Sequence, residues 1–133
     1  MSVDHIGLYV PAGIYKEVIE WYLGALAPIG FKKFVEPNEY ACGLGVHAPD
    51  FWIASHKVDE ANIPLHVAFK AENHKAVNEF HKAALALGAK GTKDNGAPGL
   101  RPQYHPNYYA AFFIDPAGNK VEVVCHKPEV INE

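Results

Sequence analysis

The chain has 133 residues, 49% of them hydrophobic, so we expect one domain with a sizeable core. The net charge of −3, the isoelectric point of about 6.2 and the lack of any Lys/Arg run exclude a nucleic-acid-binding or acidic-membrane-binding protein. No apolar run is long enough to span a bilayer, and residues 1–5 do not begin a secretory signal, so we expect a cytoplasmic protein. Cys42 and Cys125 lie in apolar, strand-like segments and are expected to be buried, reduced thiols.

The first half of the chain predicts a strand, a helix and three more strands. A β-rich run covers roughly residues 3–10. Apolar residues then recur at helical spacing and are followed by a proline and a glycine that end the helix: Ile14, Val18, Trp21 or Tyr22, and Leu26, then Pro28 and Gly30. Three extended runs come after this helix.

The second half predicts the same elements in the same order. A β-rich run covers roughly residues 64–71, and a helix follows with Asn73 as its N-cap and Gly88 at its end. The apolar residues at helical spacing are Val77, Phe80, Ala84 and Leu87. A turn at residues 115–119 joins the last two strands. The stretch from Thr92 to Asn107, rich in proline and glycine, is predicted to be a long functional or mobile loop.

The two halves are also similar in sequence. Residues 4–9 resemble 65–70, residues 18–22 resemble 77–81, residues 39–41 resemble 108–110, and residues 51–57 resemble 121–127. The order is kept, so we expect an α+β fold in a single domain made of two tandem βαβββ modules, at about 1–60 and 61–133. A helix covers one sheet face of each module, and two modules can bring their uncovered faces together around a ligand cleft.

Strand alternation places His5, His66 and Glu122 on the less apolar faces of their strands, which should point into the cleft. His5 and His66 occupy equivalent positions in the two halves. Two imidazoles and one carboxylate form a ligand set that suits a borderline divalent metal and leaves positions open for substrate. A lone strand histidine is more often a hydrogen-bonded core or surface residue, but the duplicated pair with a matching glutamate favours a metal site.

Four segments resemble the vicinal oxygen chelate superfamily and together cover essentially the whole chain. They are residues 3–10, Glu20-Trp21-Tyr22, residues 65–69, and residues 115–122 with the pattern Asp-Pro-x-Gly-Asn-x-x-Glu. The resemblance implies a cup-shaped, barrel-like mixed sheet with helices outside, a metal in the cleft and commonly a homodimer. Members include glyoxalase I, extradiol dioxygenases, fosfomycin-modifying enzymes, epimerases and metal-free bleomycin-binding proteins, so the resemblance does not choose a reaction.

One position departs from the glyoxalase I pattern. Those enzymes usually have a fourth ligand, a glutamate on the last strand of the first module, and the repeat places Trp52 where Glu122 stands in the second module. Because an indole neither binds a metal nor transfers a proton, a true glyoxalase I activity is not expected. A three-ligand site with an indole wall is closer to the extradiol dioxygenases.

Several further residues are candidates for substrate contacts. His105 is a candidate acid/base and Tyr109 a candidate hydrogen-bond donor to a bound oxyanion. Arg101, the only arginine, is a candidate clamp for a carboxylate or phosphate. Solvated loop residues are the alternative for His105 and Arg101. The aromatic candidates for lining the cleft are Tyr9, Tyr40 and Trp52. His74 and His81 are expected on the solvated face of the second helix, His56 and His126 at strand ends, and His47 in a turn.

The sequence leaves two main functions open. The favoured one is a metalloenzyme that binds Fe, Mn, Zn or Ni and carries out dioxygenase, isomerase or lyase chemistry on a small oxygen-rich substrate. The alternative is a metal-free binding or resistance protein of the bleomycin-resistance type, whose cleft holds a planar ligand against aromatic side chains. A degenerate member of the fold with a structural or regulatory role is a third possibility.

Overall fold

The computed structural model describes residues 3–56 and 63–129, which form eight strands and two helices. The first half contains β1 (Ile6–Pro11), α1 (Tyr15–Ala25), β2 (Lys32–Asn38), β3 (Ala41–Gly45) and β4 (Phe51–His56). The second half contains β5 (His66–Lys70), α2 (His74–Leu87), β6 (Lys93–Leu100), β7 (Tyr109–Ile114) and β8 (Lys120–Cys125). Lys57 of the repeat comparison and the predicted module boundary lie outside the described residues.

The strands form two separate four-stranded mixed sheets with the same topology. Their orders are β1-β4-β3-β2 in the first sheet and β5-β8-β7-β6 in the second. In each sheet the first strand pairs in parallel with the last strand of its half, and the other pairs are antiparallel. The α+β fold of two βαβββ units is therefore confirmed, but the sheets do not close into a barrel.

The strand pairing also supports the alignment of the two halves. Gly7 pairs with Trp52 across β1 and β4, and Ala68 pairs with Glu122 across β5 and β8. Since Gly7 and Ala68 each lie two residues beyond the matched histidine, Trp52 does occupy the position of Glu122 in the first sheet.

Both helices begin and end where local chemistry favours it. The Asn73 side chain accepts a hydrogen bond from the Ala76 amide at 2.8 Å, which confirms the predicted N-cap of α2. Gly88 ends α2 with φ of 53°, a left-handed conformation that favours glycine. After α1, a short 3-10 turn precedes Gly30, which has φ of 90°.

A single large core lies between each sheet and its helix and is continuous between the two halves. The side chains of Phe31, Phe51 and Phe69 pack edge to face, with ring centroids 5.0–6.5 Å apart. Trp21 of α1 packs against Phe113 of β7. These contacts join elements that are distant in sequence, so the halves pack as one body. Among residues 3–56 and 63–129, neither helix is long and apolar enough to cross a membrane.

The turn between β7 and β8 is tied to α1 by a buried hydrogen-bond network. The Asp115 carboxylate accepts hydrogen bonds from the Ala117 and Asn119 amides at 2.8 Å, which forms the predicted turn. It also accepts from the Tyr22 hydroxyl at 2.5 Å and from the Asn119 side chain at 2.9 Å. Asn119 in turn accepts from the Leu65 amide at 3.0 Å, next to the start of β5.

The prediction of a long loop from Thr92 to Asn107 is wrong, because residues 93–100 form β6. This strand pairs only with β7 and is therefore an edge strand, where proline and glycine are tolerated since one side makes no ladder hydrogen bonds. Two register shifts in the β6–β7 pairing accommodate them. Of the stretch from Thr92 to Asn107, the part without regular structure is Thr92 and the segment after β6.

The prediction that His74 and His81 lie on the solvated face of α2 is also wrong. Both are buried, and they share a helical stripe with the buried Val77 and Ala84. The His74 Nε2 lies 3.0 Å from the Lys127 carbonyl oxygen, and the His81 Nε2 lies 2.9 Å from Asp94 Oδ1. These hydrogen bonds satisfy the buried rings, which explains how imidazoles fit on the core face.

Candidate functional site

The sheet faces that the helices do not cover, here called the open faces, carry most of the candidate residues. On β5 and β8, Val67, Val121 and Val123 are buried under α2, so alternation places His66 and Glu122 on the open face of the second sheet. The open face of the first sheet carries His5 by the same reasoning. The site is therefore described one sheet at a time.

Glu122 is the centre of the polar groups on the second sheet. Only 2% of it is exposed, yet it lies among polar partners rather than in the apolar core. Its Oε1 lies 2.8 Å from the His66 Nε2, and its Oε2 accepts a short hydrogen bond from the Tyr108 hydroxyl. The His66 side chain is 52% exposed, so one partner of the buried carboxylate faces solvent. A buried carboxylate held in this way costs free energy unless charge or hydrogen bonds compensate it.

Tyr108 connects Glu122 to a cluster of aromatic and imidazole side chains. Burial, the hydrogen bond to Glu122 and the charge of that carboxylate raise the pKa of Tyr108 to about 12. The rings of Tyr104, His105 and His126 lie 4.8–5.5 Å from the Tyr108 ring. The His105 Nε2 lies 2.8 Å from the His126 Nδ1. His105, predicted as an acid/base, thus lies beside Tyr108, and His126 directly follows β8 as predicted.

Arg101 lies on the same open face, next to Phe112. Its guanidinium carbon is 5.3 Å from the centre of the Phe112 ring, and the Lys120 ammonium is 4.8 Å from that centre. Phe112 pairs directly with Glu122 across β7 and β8. The cationic side chains therefore border the carboxylate and imidazole groups described above.

The open face of the first sheet carries a different set of residues. A cleft of about 570 Å³ is lined there by Asp4, His5, Gly7, Tyr9, Ala41, Pro49, Trp52 and Ala54. The Trp52 indole donates to the Pro49 carbonyl oxygen at 2.8 Å, and the His5 Nδ1 lies 2.7 Å from Asp4 Oδ1. Tyr9 is 67% exposed. The structure thus brings three predicted residues together, namely His5, Tyr9 and Trp52.

The three predicted metal ligands do not converge within one chain. His5 and His66 line a common cleft of about 510 Å³ between β1 and β5, but the polar contacts of His5 do not include His66 or Glu122. In the two described segments, no three His, Cys, Asp or Glu side chains form a group that could hold a metal ion. His66 and Glu122 are therefore neighbours on the second sheet, whereas His5 lies beside the first sheet.

Tyr40 and Tyr109 lie on the other side of their sheets. Tyr109 pairs with the buried Cys125, its ring stacks on His74 at 3.9 Å, and its hydroxyl donates to the Asn78 side chain of α2 at 2.6 Å. Tyr40 lines a shallow depression against α1 rather than the Trp52 cleft. The residue that reaches Glu122 is Tyr108, which the sequence reasoning missed although strand alternation from Tyr109 points to it.

No protein-family model and no curated protein matches the sequence. Solved structures do match the fold. A glyoxalase/bleomycin resistance protein from Albidiferax ferrireducens T118 aligns over 94% of this chain and 98% of its own, with 21% identity and a TM-score of 0.69. The lactoylglutathione lyase from Agrobacterium tumefaciens aligns over 93% of this chain and 92% of its own, with 16% identity and a TM-score of 0.65.

A third similar structure is FosX, a fosfomycin resistance protein from Listeria monocytogenes complexed with Mn(II) and 1S,2S-dihydroxypropylphosphonic acid. It aligns over 98% of this chain and 92% of its own, with 14% identity and a TM-score of 0.63. All three proteins belong to the vicinal oxygen chelate superfamily. This chain has the vicinal oxygen chelate fold. At these identities the likeness shows the fold alone, so the reaction has to be argued from the residues.

Two side chains on the second sheet, His66 and Glu122, have the donor atoms that suit the divalent metal implied by the vicinal oxygen chelate fold. An imidazole nitrogen and a carboxylate oxygen bound to one such ion lie about 3 Å apart, because each is about 2 Å from the metal. The His66 Nε2 and Glu122 Oε1 are 2.8 Å apart. Their donor chemistry is that of a borderline ion such as zinc, manganese or iron. A complete site needs one more protein ligand at the same point.

Proposed function

We propose that this protein is a metalloenzyme that acts on a small oxygen-rich substrate at the open face of its second sheet. The observation that carries the proposal is the pairing of a 2%-exposed Glu122 with the half-exposed His66 at 2.8 Å. A carboxylate is rarely buried without a compensating charge, and a divalent ion provides one. His66 and Glu122 would hold such an ion, which would supply Lewis-acid chemistry suited to a dioxygenase, isomerase or lyase reaction.

We further infer that His5 is the third ligand and that a second copy of the chain supplies it. His5 and His66 are equivalent in the repeat, but within one chain they belong to different sheet units, and the polar partners of the two rings are Asp4 and Glu122 respectively. A two-fold dimer that pairs the first sheet of one copy with the second sheet of the other creates two identical sites. Each site then has His66 and Glu122 from one copy and His5 from the other, and Trp52 forms its apolar wall.

The neighbouring side chains suit the movement of a proton next to bound substrate. When bound, the metal polarises substrate oxygens and lowers their pKa. The Tyr108 hydroxyl stays protonated at neutral pH, since its pKa is about 12, and it orients the Glu122 carboxylate through its hydrogen bond. The hydrogen-bonded His105 and His126 lie against the Tyr108 ring, within reach of a substrate bound at this face. Trp52 can neither bind a metal nor transfer a proton, which argues against the glyoxalase I reaction.

Metal binding tests this proposal directly. Untagged protein stripped of metal is titrated with manganese, zinc or iron by isothermal titration calorimetry. It should bind about one divalent ion per chain. His66→Ala, Glu122→Gln and His5→Ala should each weaken binding at least about 10-fold. The matched control is His47→Ala, an exposed histidine in a turn, which should bind as the wild type does. Wild-type metal content in His66→Ala and Glu122→Gln protein would contradict the assignment.

A metal-free binding protein is the second candidate, and the first-sheet cleft is the observation that favours it. Trp52 and Tyr9 line about 570 Å³ there, a volume typical of small-molecule sites. In this case a planar aromatic ligand quenches the fluorescence of Trp52, a response that Trp52→Phe removes, and the protein binds no divalent ion. The metal titration above therefore separates the two functions.

A further inference from the structure

Two cations share one aromatic ring on the open face of the second sheet. The Arg101 guanidinium carbon and the Lys120 ammonium lie 5.3 Å and 4.8 Å from the centre of the Phe112 ring. The ion pairs of residues 3–56 and 63–129 include neither side chain. Like charges near one another repel, and a ring contact compensates only part of this cost. Among the described residues, neither cation is therefore held by a salt bridge, and both can accept an anionic group from a ligand.

Arg101 is held in place by the edge strand β6. Its Nη1 donates to the Gly99 carbonyl oxygen at 2.8 Å, and its Nη2 donates to the Ala97 carbonyl oxygen at 2.9 Å. A Cβ atom would lie 3.1 Å from Nη1 if built on Gly99, and 3.4 Å from Nη2 if built on Gly96. The glycines thus leave the space in which the guanidinium lies. Since guanidinium has five N–H donors, others are available to a ligand.

The cations lie next to the proposed metal ligands. Phe112 pairs with Glu122 across β7 and β8, and Lys120 precedes Glu122 by two residues on the same face. Two residues of strand span about 7 Å, so a small molecule can reach both the cations and the Glu122 region. The Arg101 amide also donates to the Tyr108 carbonyl oxygen at 2.7 Å, so the two residues lie side by side.

We propose that Arg101 and Lys120 form an oxyanion subsite, and that the substrate carries a carboxylate or phosphoryl group within a few bonds of the oxygens that face His66 and Glu122. The planar guanidinium fork binds either group with paired hydrogen bonds, and the ammonium adds a point charge. The claim that this anionic group belongs to a substrate rests on the proposed function. The claim that the subsite binds an anion does not depend on that function.

The test uses the full chain stripped of metal, so that anion binding is measured independently of metal binding. Inorganic phosphate and malonate are titrated at constant ionic strength, and backbone amide shifts of residues 96–101 and 120–122 are followed by NMR. We expect saturable binding of at least one probe, with shifts confined to these segments. Preference for phosphate indicates a phosphoryl group, and preference for malonate indicates a carboxylate. Binding of neither probe would overturn the subsite.

Matched variants make the test specific. Arg101→Gln and Lys120→Gln should each weaken anion binding about 10-fold or more, because each removes a charge-assisted contact. Lys82→Gln removes the same charge from the exposed side of α2 and should leave binding unchanged. Equal binding in the wild type and Arg101→Gln, or an equal loss in Lys82→Gln, would contradict the proposal.

Glu122→Gln separates this subsite from the proposed function. It should weaken metal binding at least about 10-fold but keep or strengthen anion binding, because it removes a nearby negative charge. If the wild-type protein binds no metal but Arg101→Gln still weakens anion binding, the proposed function fails and the subsite stands. If the protein binds metal but neither anion, the subsite fails and the proposed function stands.

Discussion

At the scale of single residues, Glu122 determines the properties of its surroundings. It is buried, it faces His66, and it accepts a hydrogen bond from Tyr108. Burial raises the pKa of Tyr108 first, and the hydrogen bond and charge of Glu122 raise it further. The pKa of Tyr108 therefore depends on the charge carried at position 122.

We expect Glu122→Gln to lower the pKa of Tyr108 by about 1 from its value of about 12, because the variant removes the charge and keeps the shape. The measurement is a pH titration of ¹³Cζ-labelled tyrosine by NMR in metal-free protein, and Tyr108→Phe identifies the signal. Tyr104→Phe, which removes an exposed neighbour, should change it much less. An unchanged Tyr108 titration in Glu122→Gln would show that the two groups do not interact.

The sequence predicted some site residues but not their grouping. Alternation placed His66 and Glu122 on one face because both lie in regular, paired strands. At the start of β7 the predicted residue, Tyr109, faces α2, whereas the preceding Tyr108 is on the face of Glu122. The contact of His105 with His126 joins a loop to a strand end, and no local pattern reveals such a pair.

At the scale of elements, the sequence predicts the helices well because their end residues are distinctive. It does not predict the edge strand β6. Asn73 and Gly88 fix the ends of α2 through backbone hydrogen bonds that depend only on nearby residues. The strand β6 has little hydrophobic alternation, and its prolines and glycines predicted a loop. It forms a strand because β7 provides a partner, which is a tertiary contact that the local sequence does not encode.

The contact of α1 with the β7–β8 turn gives a stability prediction. Burial and the Asp115 carboxylate hold the pKa of Tyr22 well above 10. Because the folded-state pKa exceeds the unfolded value of about 10, Tyr22 contributes stability below pH 10 that is lost as the pH rises above it. Tyr22→Phe should destabilise the protein by about 1.5–3 kcal/mol near neutral pH, since one hydrogen bond to a charged group is removed.

The measurement is the free energy of unfolding in urea from about pH 8 to about pH 11. The difference in unfolding free energy between wild type and Tyr22→Phe should shrink as the pH rises above about 10. Above that pH, Tyr22 ionises when the wild-type protein unfolds, and the variant has no such group. Tyr104→Phe is the exposed control and should cost less than about 0.5 kcal/mol. A pH-independent difference between wild type and Tyr22→Phe would contradict this account.

At the scale of the whole molecule, the repeat predicted the two βαβββ units but not how they meet. Duplication shows that His5 and His66 are equivalent: His5 directly precedes β1, and His66 is the first residue of β5. How the two units pack within a chain depends on long-range apolar contacts, such as those among Phe31, Phe51 and Phe69, which no local sequence pattern specifies. Within one chain the halves pack without bringing the three ligands together.

The most direct test of the central claim is metal binding by mixed dimers. His5→Ala and Glu122→Gln proteins are unfolded and refolded together, and the bound divalent metal is measured. In the proposed dimer, each mixed pair has one site with all three ligands, so a mixture should regain about a quarter of the wild-type sites while neither variant alone binds metal. His66→Ala mixed with Glu122→Gln should regain none, because both changes affect the same sheet. If the first mixture forms dimers and still binds no metal, the shared site is wrong.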